Sequence, residues 1–217
     1  MKTEAPPRAS RLAKRETRRE TRWQRSDATR LKLLDAATET IAELGMQRAS
    51  IDTIAAAAGY TKGAFYAHFD SKEHLFLVLL ERHFDAEIER LETVLAGSGE
   101  PVAEARHAAE GFLAKVESEP RWRRVYLEFA AHATRDRAFR EEFAQRQHDL
   151  RNQMARVFEG WAAALGLVPA MPAADVAAMT MAMADGFLLN RMIDPDLPES
   201  LYGSMFELFA RGLLAAG

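Results

Sequence analysis

The chain contains no cysteine, which excludes disulfides, thiol nucleophiles, zinc–thiolate sites and thiol redox sensing. No apolar run approaches the ~20 residues that a membrane span needs, and the first residues lack the hydrophobic segment of a secretory leader. The expected setting is the cytoplasm, without membrane contact. No stretch alternates apolar and polar side chains with a period of two, so no sheet is expected. The six histidines show no metal-ligand spacing such as H-E-x-x-H. Neither a phosphate-cradling glycine loop nor a nucleophile elbow occurs. An enzyme is not expected, nor any cofactor or metal.

What is present is ordinary in amount and uneven in arrangement. Hydrophobic content of 48% and charged content of 28% over 217 residues suit a soluble protein with room for one small and one larger helical domain. The net charge of −3 hides an asymmetry. Residues 1–75 hold 14 Lys/Arg against 10 Asp/Glu, a net +4, whereas residues 76–217 hold 15 against 22, a net −7. A basic end joined to an acidic body fits a nucleic-acid binder with a separate sensing or assembly domain. The excess concentrates in residues 1–25, expected to be a flexible basic arm. There Arg18, Arg19 and Arg22 are candidates to meet DNA phosphates or a neighbouring minor groove. A merely solvated tail is the alternative for that segment.

Helical periodicity governs the rest. Leu34, Ala37, Ile41 and Leu44 recur at helical spacing before Gly45, predicting a helix over 27–44. A long helix from Lys72 to about Leu95 ends at the Gly97-Ser98-Gly99-Glu100-Pro101 breaker. Prolines at 120, 169, 172, 195 and 198 then separate helices near 102–118, 121–133, 136–166, 173–192 and 199–215. The expected class is all-α. Its expected domains are an N-terminal three-helix domain over 26–75 and a larger helical domain over 76–217.

Residues 50–72 carry the most information. Ser50 is placed to cap a helix from Ile51 to about Ala58, and Gly59 follows where the chain must leave that helix with φ > 0. Thr61 can cap the next helix, roughly 62–67. Phe65 anchors that helix inward and Phe69 packs just beyond it. Lys62, Gly63 and Tyr66 fall within an arc of roughly 100° at helical spacing, leaving one face free of bulky aliphatics. Two short helices around a tight turn, the second with such a face, make a helix-turn-helix built to enter a major groove. Asp70 or Ser71 caps the next helix, with Glu73 placed to close a capping box on Asp70. Lys72, in its first turn, suits a phosphate.

Ile54-Ala55, Ala58-Gly59, Thr61-x-Gly63-x-Phe65-Tyr66-x-His68-Phe69 and Ser71-Lys72-Glu73 resemble the DNA-binding signature of TetR-family repressors. Tyr60 stands where that signature commonly has a small aliphatic residue. The resemblance implies contacts to a double-stranded operator from Ser50, Thr61, Lys62, Gly63, Ala64, Tyr66, His68 and Lys72. It also implies a small-molecule effector bound by the larger domain.

Two features of that larger domain extend the expectation. Val176, Met179, Met183 and Phe187, then Leu201, Met205, Leu208 and Gly212, follow narrow apolar seams on the last two helices. They are candidates for a two-fold, four-helix dimer interface, with ordinary core packing as the alternative. Phe84, Ile88, Phe112, Trp122, Tyr126, Phe129 and Trp161, with His132, are candidates to line an effector cavity. Plain core is the alternative for the rings, and a surface pair for Glu128 with His132. The combined expectation is a dimeric, ligand-responsive repressor that binds a palindromic operator and leaves it when a hydrophobic or amphipathic effector binds. The competing expectation is a helical DNA-coating or interaction protein without an effector.

Overall fold

The computed structural model describes residues 8–96 and 99–215, with no side chains described before residue 26 or at residue 215. Its described residues form α1 (Arg8–Leu44), α2 (Ile51–Ala57), α3 (Lys62–Tyr66), α4 (Lys72–Leu95), α5 (Pro101–Ser118), α6 (Pro120–Ala133), α7 (Arg137–Ala164), α8 (Ala173–Ile193) and α9 (Ser200–Ala215), and no strand. The all-α class is as expected. The first helix, however, starts at Arg8 instead of near 27. No glycine or proline interrupts the chain from Arg8 to Leu44, so helix-forming Ala, Arg and Glu extend α1 where charge composition suggested an arm. The side chains of Arg18, Arg19 and Arg22 lie outside the described residues.

The chain divides into two compact units at Phe76 and Leu77. In the first, Leu33, Leu34, Ala37 and Ile41 of α1 are buried with Ile54 and Ala55 of α2, Phe65 of α3, and Phe69. Gly45 closes α1 at φ +77°, with its N–H donating to the Ile41 carbonyl at 2.9 Å. That conformation strains any residue with a Cβ.

In the second unit, α5 packs chiefly on α9 and α7 on α8. Ala109 and Leu113 of α5 meet Phe187 of α8 and Tyr202 and Phe206 of α9 in one apolar cluster. Glu100 caps α5 by accepting from Val102 N and Ala103 N, with Pro101 in the first turn, where its missing N–H costs nothing. At the far end of α8, Arg191 reaches Glu117 at 2.6 Å and Glu199 at 3.0 Å. The α8–α9 connection is thereby tied back to α5.

Candidate functional site

The α2–turn–α3 segment owes its shape to three local devices. Ser50 accepts from Thr53 N at 3.1 Å, capping α2. At its other end Tyr60 N donates to Ala55 O at 2.8 Å and Gly59 N to Ala56 O at 3.0 Å. These are the two hydrogen bonds of a Schellman ending, with Gly59 at φ +75°. Thr61 then caps α3, accepting from Ala64 N at 3.3 Å. Phe65 is wholly buried and lies 5.5 Å from the Phe69 ring. Tyr66, next in sequence, is 51% exposed. A helix of five residues is thus held by one aromatic and shows its opposite side to solvent.

That side holds the expected residues. Thr61, Lys62, Gly63 and Tyr66 are exposed, as is Ser50, while Ala64 and His68 are half-buried. Lys62 Nζ reaches Asp52 Oδ2 at 3.0 Å, and that hydrogen bond and charge hold its ammonium above the usual lysine value. Lys72 is half-buried; its Nζ donates to Met46 O at 3.1 Å and lies 5.7 Å from the Phe76 ring centroid. Tyr60 accepts from Thr29 Oγ1 at 3.4 Å, so the larger side chain at that place ties α1 to the turn. The capping box differs from expectation. Ser71 accepts from His74 N at 3.0 Å, and His74 Nδ1, not Glu73, accepts from Asp70 N at 3.2 Å.

The second unit encloses a cavity of about 680 Å³. Phe84, Ile88, Phe112, Trp122, Tyr126 and Trp161 line it, as expected. Phe129 and His132 do not. Phe129 is fully buried, with ring centroids 6.3 Å from Trp122 and 6.1 Å from Phe139. His132 stands edge-on to Phe139 at 4.9 Å. Both lie on the face of α6 that packs against α7, a distinction that helical spacing cannot make for a ring-rich helix.

The polar part of this lining was missed in the sequence. Asp185 accepts from the Tyr126 hydroxyl at 3.4 Å, and Gln147 Nε2 donates to the same oxygen at 2.6 Å. Burial pushes the Tyr126 phenol up, and the neighbouring Asp185 charge adds to it. One signal was available: between Asp175 and Asp194, Asp185 is the sole acid, and it stands in the apolar run from Met181 to Leu189.

His83 stacks on Trp122 with centroids 4.0 Å apart. Burial, the largest cause, lowers its imidazole from 6.5 to about 4. As pH falls below that ordinary value, the unfolded chain takes up a proton that the folded chain refuses. Stability therefore drops between these two values by on the order of 2–3 kcal/mol. Urea unfolding of His83→Phe is expected to be flatter with pH than wild type across this window. Equal slopes would assign the proton to another group.

The seams on α8 and α9 divide between inside and outside. Val176 and Phe187 are buried, Val176 against the cavity and Phe187 in the apolar cluster, with Met183 and Met205 packed against that cluster. Val176 and Phe187 thus serve the core of the unit, the alternative expected for these seams, while Met183 and Met205 are only half-buried. Met179, Leu201, Leu208 and Gly212 are exposed. So are Leu189, Met192 and Ile193, which the spacing did not single out. A helix apolar all round gives no sequence signal for which stripe faces in.

Comparison with known proteins agrees with both units. The model of bacterial regulatory proteins of the tetR family matches residues 33–79, and that of the BetI-type transcriptional repressor C-terminal domain matches 101–212. The transcriptional activator FasR of Mycolicibacterium smegmatis is 34% identical over 102 residues, covering 47% of each chain. The regulator AcrR of Shigella flexneri is 32% identical over 111 residues, covering 50% of this chain and 51% of its own. The chain spans about half the length of the curated relatives it matches. Among solved structures, a SmeT–triclosan complex aligns with TM-score 0.67 and 25% identity, over 85% of this chain and 90% of that one. FadR from Bacillus subtilis with stearoyl-CoA aligns with TM-score 0.67 and 16% identity, over 86% and 98%, a likeness of fold alone. No described helix is long and apolar enough to cross a membrane. With its helix-turn-helix over α2 and α3, and with one of these models covering more than half of its length, the chain belongs to the TetR family of bacterial transcriptional regulators.

Proposed function

We propose that this protein is a cytoplasmic, homodimeric repressor that binds a palindromic operator and releases it on binding a small effector. One observation carries the reading. The short helix α3 is anchored only through Phe65 and presents Lys62, Gly63 and Tyr66 to solvent. Gly63 has no neighbour nearer than 3.8 Å to where a Cβ would stand, so a sugar-phosphate strand has room to approach. Tyr66 offers a ring and a hydroxyl to base edges, and Ser50, Thr61 and Lys72 are assigned to phosphates, as the chemistry of their hydroxyls and ammonium suits. A pair of such heads about 34–36 Å apart reads successive major grooves.

The cavity in the second unit supports the effector half of the reading, as do the SmeT–triclosan and FadR–stearoyl-CoA complexes among its structural relatives. Helix α4 starts at Lys72 and runs into the residues that line the cavity, Phe84 and Ile88 among them. An effector that prefers a different setting of α4 would shift the dimer towards a head spacing that no longer fits DNA. A preference of ~100-fold lowers operator affinity by up to that factor, about 2.7 kcal/mol.

Selection of bound fragments from the source genome tests the reading and supplies the operator. On that operator, Tyr66→Ala is expected to cost about 1–3 kcal/mol of binding, leaving the fold intact because the side chain is exposed. Undiminished affinity in a fluorescence titration would take Tyr66 off the reading face. Failure to select any fragment in preference to bulk DNA would favour a DNA-coating protein.

A further inference from the structure

The charges around the cavity are unequally satisfied. On α4, Arg90 Nε donates to Glu87 Oε2 at 3.1 Å and its guanidinium lies 5.5 Å from the Phe112 ring centroid. Those two charges answer each other. His83, also on α4, is held neutral by burial. The α5 wall is apolar, and α9 contributes Tyr202, whose phenol burial keeps protonated. On α7, Glu159 is a second carboxylate in the lining and, like Asp185, is exposed, but it makes no hydrogen bond to Tyr126.

Asp185, on α8, is different. It lines the cavity and is exposed, and its one side-chain hydrogen bond among the described residues comes from the Tyr126 hydroxyl at 3.4 Å. It has no cationic partner among the described residues. Asp185 is exposed as a residue, but the chain crowds around its carboxylate, and this partial desolvation raises its pKa against the lowering effect of the Tyr126 bond. Gln147 spends its amide N–H on Tyr126, and its Oε1 is buried with no donor. The cluster is therefore rich in acceptors and short of hydrogens.

Ligand chemistries fare differently there. An anion meets repulsion from the carboxylate. A neutral molecule leaves that group desolvated with one long hydrogen bond. A protonated amine brings both positive charge and N–H donors, and the rings of Phe112, Trp122 and Trp161 in the same lining suit an apolar body attached to it. We propose that the cavity takes an amphipathic amine, its protonated nitrogen against the Asp185 carboxylate and its apolar body along Phe112, Trp122 and Trp161. This rests on the cavity being the effector site. Arg123 lines the same cavity with its Nε unpartnered, so a carboxylate ligand is the rival outcome.

Three probes of one shape decide between them: 4-hexylbenzylamine, 4-hexylbenzyl alcohol and 4-hexylbenzoate. Each is titrated into the full chain by calorimetry, with tryptophan fluorescence as a second signal. The amine is expected to bind about 10- to 100-fold tighter than the alcohol, the range for hydrogen bonds to charged groups, and the benzoate weakest. Asp185→Asn, which keeps an acceptor for Tyr126, is expected to erase the amine's advantage. Wild-type affinity for the amine should fall as the pH is lowered through the Asp185 titration, and the variant should be flat. Tyr126→Phe keeps the carboxylate and should keep the amine preference, with urea unfolding verifying the fold of both variants. Equal binding of amine and alcohol overturns the proposal while leaving the effector site in place. So does tightest binding of the benzoate, lost in Arg123→Gln. Binding of none of the three, with operator affinity unchanged by all, removes the effector reading and the proposal together.

Discussion

Phe65→Ala is expected to lower the stability of the first unit by about 3–5 kcal/mol, the range for truncating a buried aromatic, and to abolish operator binding. Phe65 is the sole buried residue of α3. Its ring contacts Phe69 at 5.5 Å and meets Tyr66 edge-on at 5.6 Å. Five residues cannot sustain a helix by themselves, because nucleation is unfavourable and few hydrogen bonds follow it. Without the anchor, the segment keeps only the Thr61 cap and the Gly59 turn. A loss of this size is a large share of the roughly 5–15 kcal/mol that holds a domain together. Urea unfolding followed by circular dichroism, beside a titration against operator DNA, measures both effects. Phe65→Leu, which retains most of the volume, should recover most of each. A Phe65→Ala protein within about 1 kcal/mol of wild type, well below the cost of an ordinary core truncation, would show that α3 is held in place by other contacts.

Leu208→Asp is expected to turn the proposed dimer into monomers. Six of the nine exposed large apolar side chains described lie on α8 and α9, namely Met179, Leu189, Met192, Ile193, Leu201 and Leu208. Such a concentration on two adjacent helices is more than a solvated surface carries by chance and fits an isologous interface. Leu208 is 71% exposed in the single chain, so replacing it should leave the fold of the protomer intact. In a two-fold interface the substitution counts twice. Each copy loses about 1.5–3 kcal/mol of apolar burial and gains the cost of desolvating a carboxylate. The dimer dissociation constant should rise by at least about 1,000-fold, equivalent to ~4 kcal/mol. Sedimentation velocity at micromolar concentration reads this directly, and unfolding of the monomer verifies that the fold survives. Weak operator binding by the variant would follow, since one head reads only half a palindrome. A variant that sediments as a wild-type dimer would place the interface on another face, and a wild type that sediments as a monomer would overturn the dimer itself.

Much of the first unit was legible because its signals are local. Ser50, Gly59 and Thr61 act on backbone groups within a few residues of themselves, so their spacing alone predicted two helices and the turn between them. Proline and glycine breaks likewise located the later helices, whose ends fall within about two residues of expectation, the ordinary uncertainty of a helix boundary. Where two local candidates competed, geometry chose. Ser71 won the cap of α4, and His74 took the reciprocal place expected of Glu73.

The second unit was legible in kind but not in detail. Helical spacing located apolar stripes on α6, α8 and α9, yet these helices are apolar on more than one side. Phe129 and His132 turned towards α7, and Val176 and Phe187 turned inward, while Met179 and Leu208 stayed outside. The Tyr126–Asp185 contact joins residues 59 positions apart, beyond the reach of any periodicity. By itself the sequence determined the helical class, the helix-turn-helix and the face of α3 open to solvent, because caps, turns and one buried ring set these over short distances. Only the tertiary structure decided which rings surround a cavity, which carboxylate faces it and which stripe of α8 and α9 remains uncovered. Those outcomes depend on which helices pack together, and packing is a choice among faces that the sequence makes equally apolar.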